Sequence, residues 1–242
     1  MFRPPSIVVA LFAVALGTTA CSSPPEQPIL YQFFTSSRLG DTTSLESFAT
    51  TTLNAKTDGT VSSFTIASVS PERSAPLPLK GLGEALDQVK TEDAEFTKHK
   101  VEYQSANIEA IHRVLKAEAE STPIKGKDAD VQAAWTKWRT ESSQMTRKVS
   151  EARNKLASES TVVNLSLASP GTRVDPTKFD GDMVTKDVTV NASMKTPSGA
   201  SVQKSLVVTM ERAVLKGDKP VSGRWIVTAV KDLSAPAGSK TS

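Results

Sequence analysis

The chain has 242 residues, 29 Lys and Arg against 26 Asp and Glu, a formal net charge of +3 and a single cysteine. Near-balanced charge with no basic block excludes an electrostatic nucleic-acid binder, and one cysteine excludes an internal disulfide framework. Aromatic residues make up 5%, so stability has to come mainly from aliphatic packing in one large domain or two small ones.

The N-terminus places Arg3 ahead of an apolar run from Ile7 to Leu16, then small residues Gly17-Thr18-Thr19-Ala20, then Cys21. A run of this length falls short of the roughly 20 residues a spanning helix needs and fits an export leader. With a cysteine directly after the small residues, the segment is similar to a bacterial lipoprotein signal. That resemblance implies removal of residues 1–20 and a diacylglyceryl thioether on Cys21, usually with a second acyl group on the new N-terminus. Thr18 stands where such signals usually carry leucine, and a plain secretory cleavage before Cys21 is the alternative. Ser22 in place of aspartate implies an outer-membrane address, on its periplasmic side, if the cell has two membranes. Residues 21–28, with Pro24, Pro25 and Pro28, then read as an extended tether.

The folded domain is expected over residues 29–233, with 234–242 as a flexible tail. Ile29, Leu30, Phe33 and Phe34 recur at helical spacing, Gly40-Asp41 breaks the pattern, and Leu45, Phe48 and Leu53 resume it. Gly at a helix end and Asp at the next start predict a helix pair. Val61 to Val69 has strand composition, closed off by Pro71, Pro76 and Pro78.

The middle of the chain predicts two long helices, about 83–121 and 128–158, joined near Pro123 and Gly126 as an antiparallel hairpin. In the second, Val131, Trp135, Trp138, Ser142, Met145, Val149, Ala152 and Leu156 step alternately by four and three, the mark of one narrow coiled-coil-like seam. In the first, Leu82, Leu86, Val89, Phe96 and Tyr103 form one stripe and Val101, Ile108, Ile111 and Leu115 a neighbouring one. Trp135 and Trp138 have two readings: packing against the preceding helix, or a docking surface for a partner protein.

Beyond the hairpin the period changes to two. Val163, Leu165 and Leu167 predict a short strand, 169–182 a long loop, and Val188 to Met194, Leu206 to Val214 and Arg224 to Lys231 an antiparallel meander. The fold class is therefore α+β: a curved antiparallel sheet, an N-terminal helix pair and a long inserted helical hairpin.

Few residues invite chemistry. His99 and His112 are thirteen apart, whereas helical metal pairs stand three or four apart. Asp175, Asp180 and Asp182 lack the calcium-loop pattern and have Lys178 among them. Gly81-Leu82-Gly83 is too short for a phosphate loop. In the strands, Asp187 and Glu211 are the main acids and histidine is absent. These features predict no catalytic group, no cofactor and no metal.

Phe33-Phe34, Gly40-Asp41, Leu45 and Phe48 at the front, with Gly223-Arg224-Trp225-Ile226-Val227 at the back, resemble the cone-shaped fold of nuclear transport factor two. The resemblance implies a concave sheet face that can hold a pocket. The fold serves enzymes, binders and scaffolds alike, and the hairpin of nearly 80 residues departs from its usual short middle helix. Together these readings give a lipid-anchored envelope protein, non-enzymatic, presenting a hairpin to an envelope partner; a small-ligand binder using the concave face is the alternative.

Overall fold

The computed structural model describes residues 24–168 and 174–233; the leader, Cys21 and the tail 234–242 lie outside them. Helix α1 (Gln27–Leu39) ends at Gly40, whose left-handed backbone (φ 67°) returns its N–H to the last carbonyls of the helix, Ser36 and Ser37. Helix α2 (Thr42–Phe48) starts at once, because the Asp41 carboxylate accepts from the Ser44 amide and hydroxyl. These hydrogen bonds hold the Asp41 carboxyl below its ordinary range.

Among the described residues the sheet has six strands and curls into an antiparallel half-barrel. At its centre are β3 (Gly181–Lys195) and β4 (Ser201–Leu215), paired in one unbroken register. On one side β3 pairs with β1 (Thr60–Val69) and with β2 (Arg73–Pro76). On the other, β4 pairs with β5 (Val221–Ser222) and β6 (Ile226–Asp232).

Alternation divides the side chains of β3 and β4 between two faces. The inner face carries Val188, Val190, Met194, Leu206, Val208 and Met210, and α1 and α2 cover it with Leu30, Phe33, Phe34, Leu45 and Phe48. The outer face is polar over most of its length. At the Gly181 and Leu215 end it turns apolar, and Ala213 and Met183 pack there with Leu79, Val163 and Leu167.

Those last residues belong to the hairpin. Helix α3 (Leu79–Ala106) leaves the sheet, α4 (Ile108–Ala119) continues it, and α5 (Lys127–Leu167) returns over about 60 Å at 1.5 Å per residue.

Four expectations change. The strand expected at Val163, Leu165 and Leu167 is the last turn and a half of α5: beyond the seam, Leu156, Ser160, Val163 and Leu167 still keep helical spacing, in steps of four, three and four. The first long helix breaks at Asn107, whose side chain donates to the Tyr103 carbonyl and draws the backbone out of helical geometry (φ −124°). The tether is shorter than 21–28, because Glu26 is buried and α1 begins at Gln27 with Pro28 in its first turn, where proline is well tolerated. Finally, β1 ends at Val69 as expected, but the prolines do not keep the chain out of the sheet: it pairs again with β3 as β2, on the edge, where proline costs no ladder bond.

Candidate functional site

The inner face is the place where the cone resemblance puts a pocket. Here it is filled: Leu30, Phe33, Val188, Val190, Val208 and Met210 are all fully buried, and interiors of this kind pack to crystal-like density. A buried polar exception is Lys186, on the same face, whose Nζ lies 2.5 Å from Glu26 Oε1 with both side chains almost fully buried. Its ammonium also lies 4.0 Å from the Trp225 ring centroid, and the Arg212 guanidinium 4.6 Å from the same ring. Arg212 in turn pairs with Glu72 at 3.0 Å. Each of these cations has an anion, and the Lys186–Glu26 pair ties the start of α1 to the sheet.

The strand acids do not lie on the inner face of the sheet. Asp187 and Glu211 share the outer face. Asp187 pairs with Arg73 at 2.8 Å and accepts from the Thr209 hydroxyl at 2.8 Å. The Arg73 guanidinium holds its carboxyl below the ordinary range. Glu211 accepts from Thr185 at 3.4 Å. The loop acids separate: Asp175 caps the 3-10 turn at Pro176–Lys178, Asp180 pairs with Lys80, and Asp182 pairs with Lys216. His99 sits exposed beside Glu102 and His112 is exposed. Among the described residues no group of three or more His, Cys, Asp or Glu is placed to hold a metal ion.

What the structure builds with care is the root of the hairpin. Ser166, near the end of α5, donates its hydroxyl to the Arg224 carbonyl at 2.7 Å and accepts from the Ala213 amide at 3.0 Å. Its own carbonyl accepts from the Arg224 amide at 2.9 Å. The Arg224 guanidinium reaches the Leu165 carbonyl and the Ser47 carbonyl, joining the C-terminal ends of α5 and α2. Such ends expose unpaired carbonyls and partial negative charge, which a guanidinium suits. Gly223 lets the helix approach, since a Cβ there would stand 2.2 Å from Ser166 Oγ. The Gly-Arg-Trp patch thus consists of one close approach, one bridge and one ring over two cations.

Along the arm, Trp135 is buried and Trp138 is half-buried against Phe96 (5.2 Å between centroids) and Tyr103 (5.9 Å). Lys100 lies 5.9 Å from the Trp135 ring and donates to Ser142 at 3.2 Å. Both tryptophans therefore face the helices they return along. The second expected stripe divides at the Asn107 break: Ile111 is buried, whereas Val101, Ile108 and Leu115 are 52%, 51% and 40% exposed. Ile108 and Leu115 stand seven residues apart on α4, and Val101 precedes the break on α3.

Near the tip, Arg113 grips Asp128 through two bonds of 3.0 and 2.8 Å, and Arg139 and Gln132 both donate to Glu118. These donors hold both carboxyls below their ordinary range. A carboxyl lowered in the folded state stabilises it above the unfolded-state pKa and loses that contribution as pH falls through the folded-state one. The arm is accordingly expected to loosen at its tip once pH drops below the ordinary carboxylate range. Amide exchange across 108–139 should then rise before exchange in β3 and β4.

A second surface feature lies between α1 and β1. Gln27, Tyr31, Phe34 and Arg38 form one stripe of α1 and, with Thr35 and Val61–Phe64 of β1, line an open groove of about 270 Å³. The sequence reading passed over it, although the spacing of 4, 3 and 4 along α1 is visible in the sequence.

The comparisons with known proteins offer no relative through which to assign these surfaces. No family model, curated protein or solved structure matches this chain. The candidate surfaces therefore stand on their geometry alone.

Proposed function

We propose that this chain is a lipid-anchored protein of a bacterial cell envelope, without enzymatic activity, whose helical hairpin is a docking arm for another envelope protein. The observation that carries this reading is the form of the arm. It runs about 45 Å from Leu156 to its tip at 1.5 Å per residue, is fixed at its root, and exposes Val101 on α3 and, seven apart on α4, Ile108 and Leu115. Apolar residues at such spacing on an exposed helix face are what a partner helix requires. The filled inner face supports the same reading over that of a small-ligand binder.

Anchoring rests on the leader and Cys21. Among the described residues no helix is long and apolar enough to cross a membrane. With Glu26 held in the domain, the five residues from Ser22 to Glu26 span at most about 18 Å. The sheet then sits close to the lipid surface, and the arm supplies the reach.

The test uses membranes carrying the full chain. Cross-linked capture of one partner is expected, reduced at least tenfold by V101S/I108S/L115S with helicity unchanged. Intact mass of the mature chain from the same sample is expected to show acyl groups on Cys21. An unmodified thiol overturns the anchor, and equal capture by the triple variant overturns the docking arm.

A further inference from the structure

We propose that the groove between α1 and β1 receives an extended peptide strand of another protein, which pairs with the free edge of β1 and turns a carboxylate toward Arg38. The proposal is independent of the hairpin and of the lipid anchor.

The edge is the first observation. β1 pairs with β3 on one side and ends the sheet on the other. Exposed edges invite strand addition, and proteins usually guard them with charge, proline or bulges. From Thr60 to Val69 this strand has no charged residue and no proline. Its guards are two irregularities, at Ser62 and Ala67, which leave Ser63 to Ile66 in regular pairing. That regular stretch lies beside the groove.

The groove supplies what an added strand needs besides main-chain bonds. Its floor is Phe34 and Phe64, with ring centroids 5.0 Å apart. Phe34 is buried, while Phe64 and Ile66 at the edge remain half-buried and Tyr31 is 64% exposed on the rim. Apolar surface is thus left open beside unpaired backbone, the combination that strand-addition sites use for specificity and affinity. Length fits too. From Gln27 to Arg38 the helix rises about 16 Å, which five extended residues cover at about 3.3 Å each.

Charge selects the occupant. Arg38 is the one charged residue lining the groove, and it has no ion-pair partner among the described residues. A peptide alternating apolar and polar residues, with an aspartate, a glutamate or a terminal carboxylate at the Arg38 end, complements it.

The experiment pans the full chain in detergent against displayed random twelve-residue peptides, then measures Kd for synthetic copies of the selected ones. Enrichment of alternating peptides with an acid is expected. N-methylation at alternate peptide residues should weaken binding at least tenfold, because it removes the edge-pairing donors. Arg38→Glu should weaken acidic peptides about tenfold and select basic ones instead, a gain that misfolding does not produce. Both Arg38 and Tyr31 are exposed, so Tyr31→Ala is expected to stay folded and to lose binding by a similar factor. No enrichment, binding indifferent to both variants, or tolerance of every N-methyl group overturns the proposal. So does a concentration-dependent dimer that Tyr31→Ala abolishes, which would assign the edge to a second copy of the chain.

Discussion

Glu26→Ala is expected to lower the unfolding free energy by about 3–5 kcal/mol, the cost of leaving a buried charge without its partner. Lys186 is 7% exposed and its Nζ meets Glu26 Oε1 at 2.5 Å, so truncation strands a buried ammonium over the Trp225 ring with little water to solvate it. The Trp225 ring compensates in part, since a cation over an indole gains about 2 kcal/mol when desolvated. Against a total stability of roughly 5–15 kcal/mol, the loss is large. Urea unfolding should show it as a fall in midpoint at nearly constant m, and heating as a drop in Tm on the order of 10 °C. Removing both charges is the informative control. Lys186→Met with Glu26→Leu replaces the pair by apolar groups of similar volume and is expected to recover wild-type stability or exceed it. A single-variant cost below 1 kcal/mol would mean that water reaches the pair.

That pair also marks where sequence reading loses sight of this fold. Glu26 sits among prolines and reads as tether; the residue that makes it part of the domain stands 160 positions away. Lys186 interrupts an apolar alternation in β3 with no local sign that it points inward. By contrast, whatever depended on local periodicity was legible: the helix pair split by Gly40-Asp41, the seam through Trp135 and Trp138, and the central strands with their hairpin turns. The errors fall where two periods overlap or where a tertiary contact decides. Val163, Leu165 and Leu167 alternate as a strand would, yet Val163 and Leu167 also stand at helical spacing from each other, and packing on Ala213 and Met183 favours the helix. The break at Asn107 has no proline or glycine to announce it. The Gly-Arg-Trp patch was visible as a resemblance, but the roles of its residues come from Ser166, Lys186 and Arg212, each remote in sequence. The groove was missed because Tyr31 and Arg38 read as the solvent face of an amphipathic helix.

Gly223→Ala is the second large effect, expected to cost about 2–4 kcal/mol and to act on the arm before the sheet. Its Cβ would stand 2.2 Å from Ser166 Oγ and 2.9 Å from the Ser166 carbonyl carbon and oxygen. A hydroxyl can turn away, whereas the backbone of α5 has to shift; overpacking of this kind costs about 1–3 kcal/mol. The shift also strains the bonds from Ser166 to Arg224 and Ala213, each worth about 1 kcal/mol when intact and more if a buried group is left unpaired. Hydrogen exchange should localise the damage, with protection lost first in residues 160–167 and retained in β3 and β4. Ser166→Ala separates the two causes. It removes the nearest clashing atom together with both hydroxyl bonds, so the combined variant should be more stable than the sum of the single losses by about 1 kcal/mol, a coupling typical of residues in contact. If the two losses simply add, the hydroxyl is not what Gly223 accommodates, and the close approach of the α5 backbone alone accounts for the glycine.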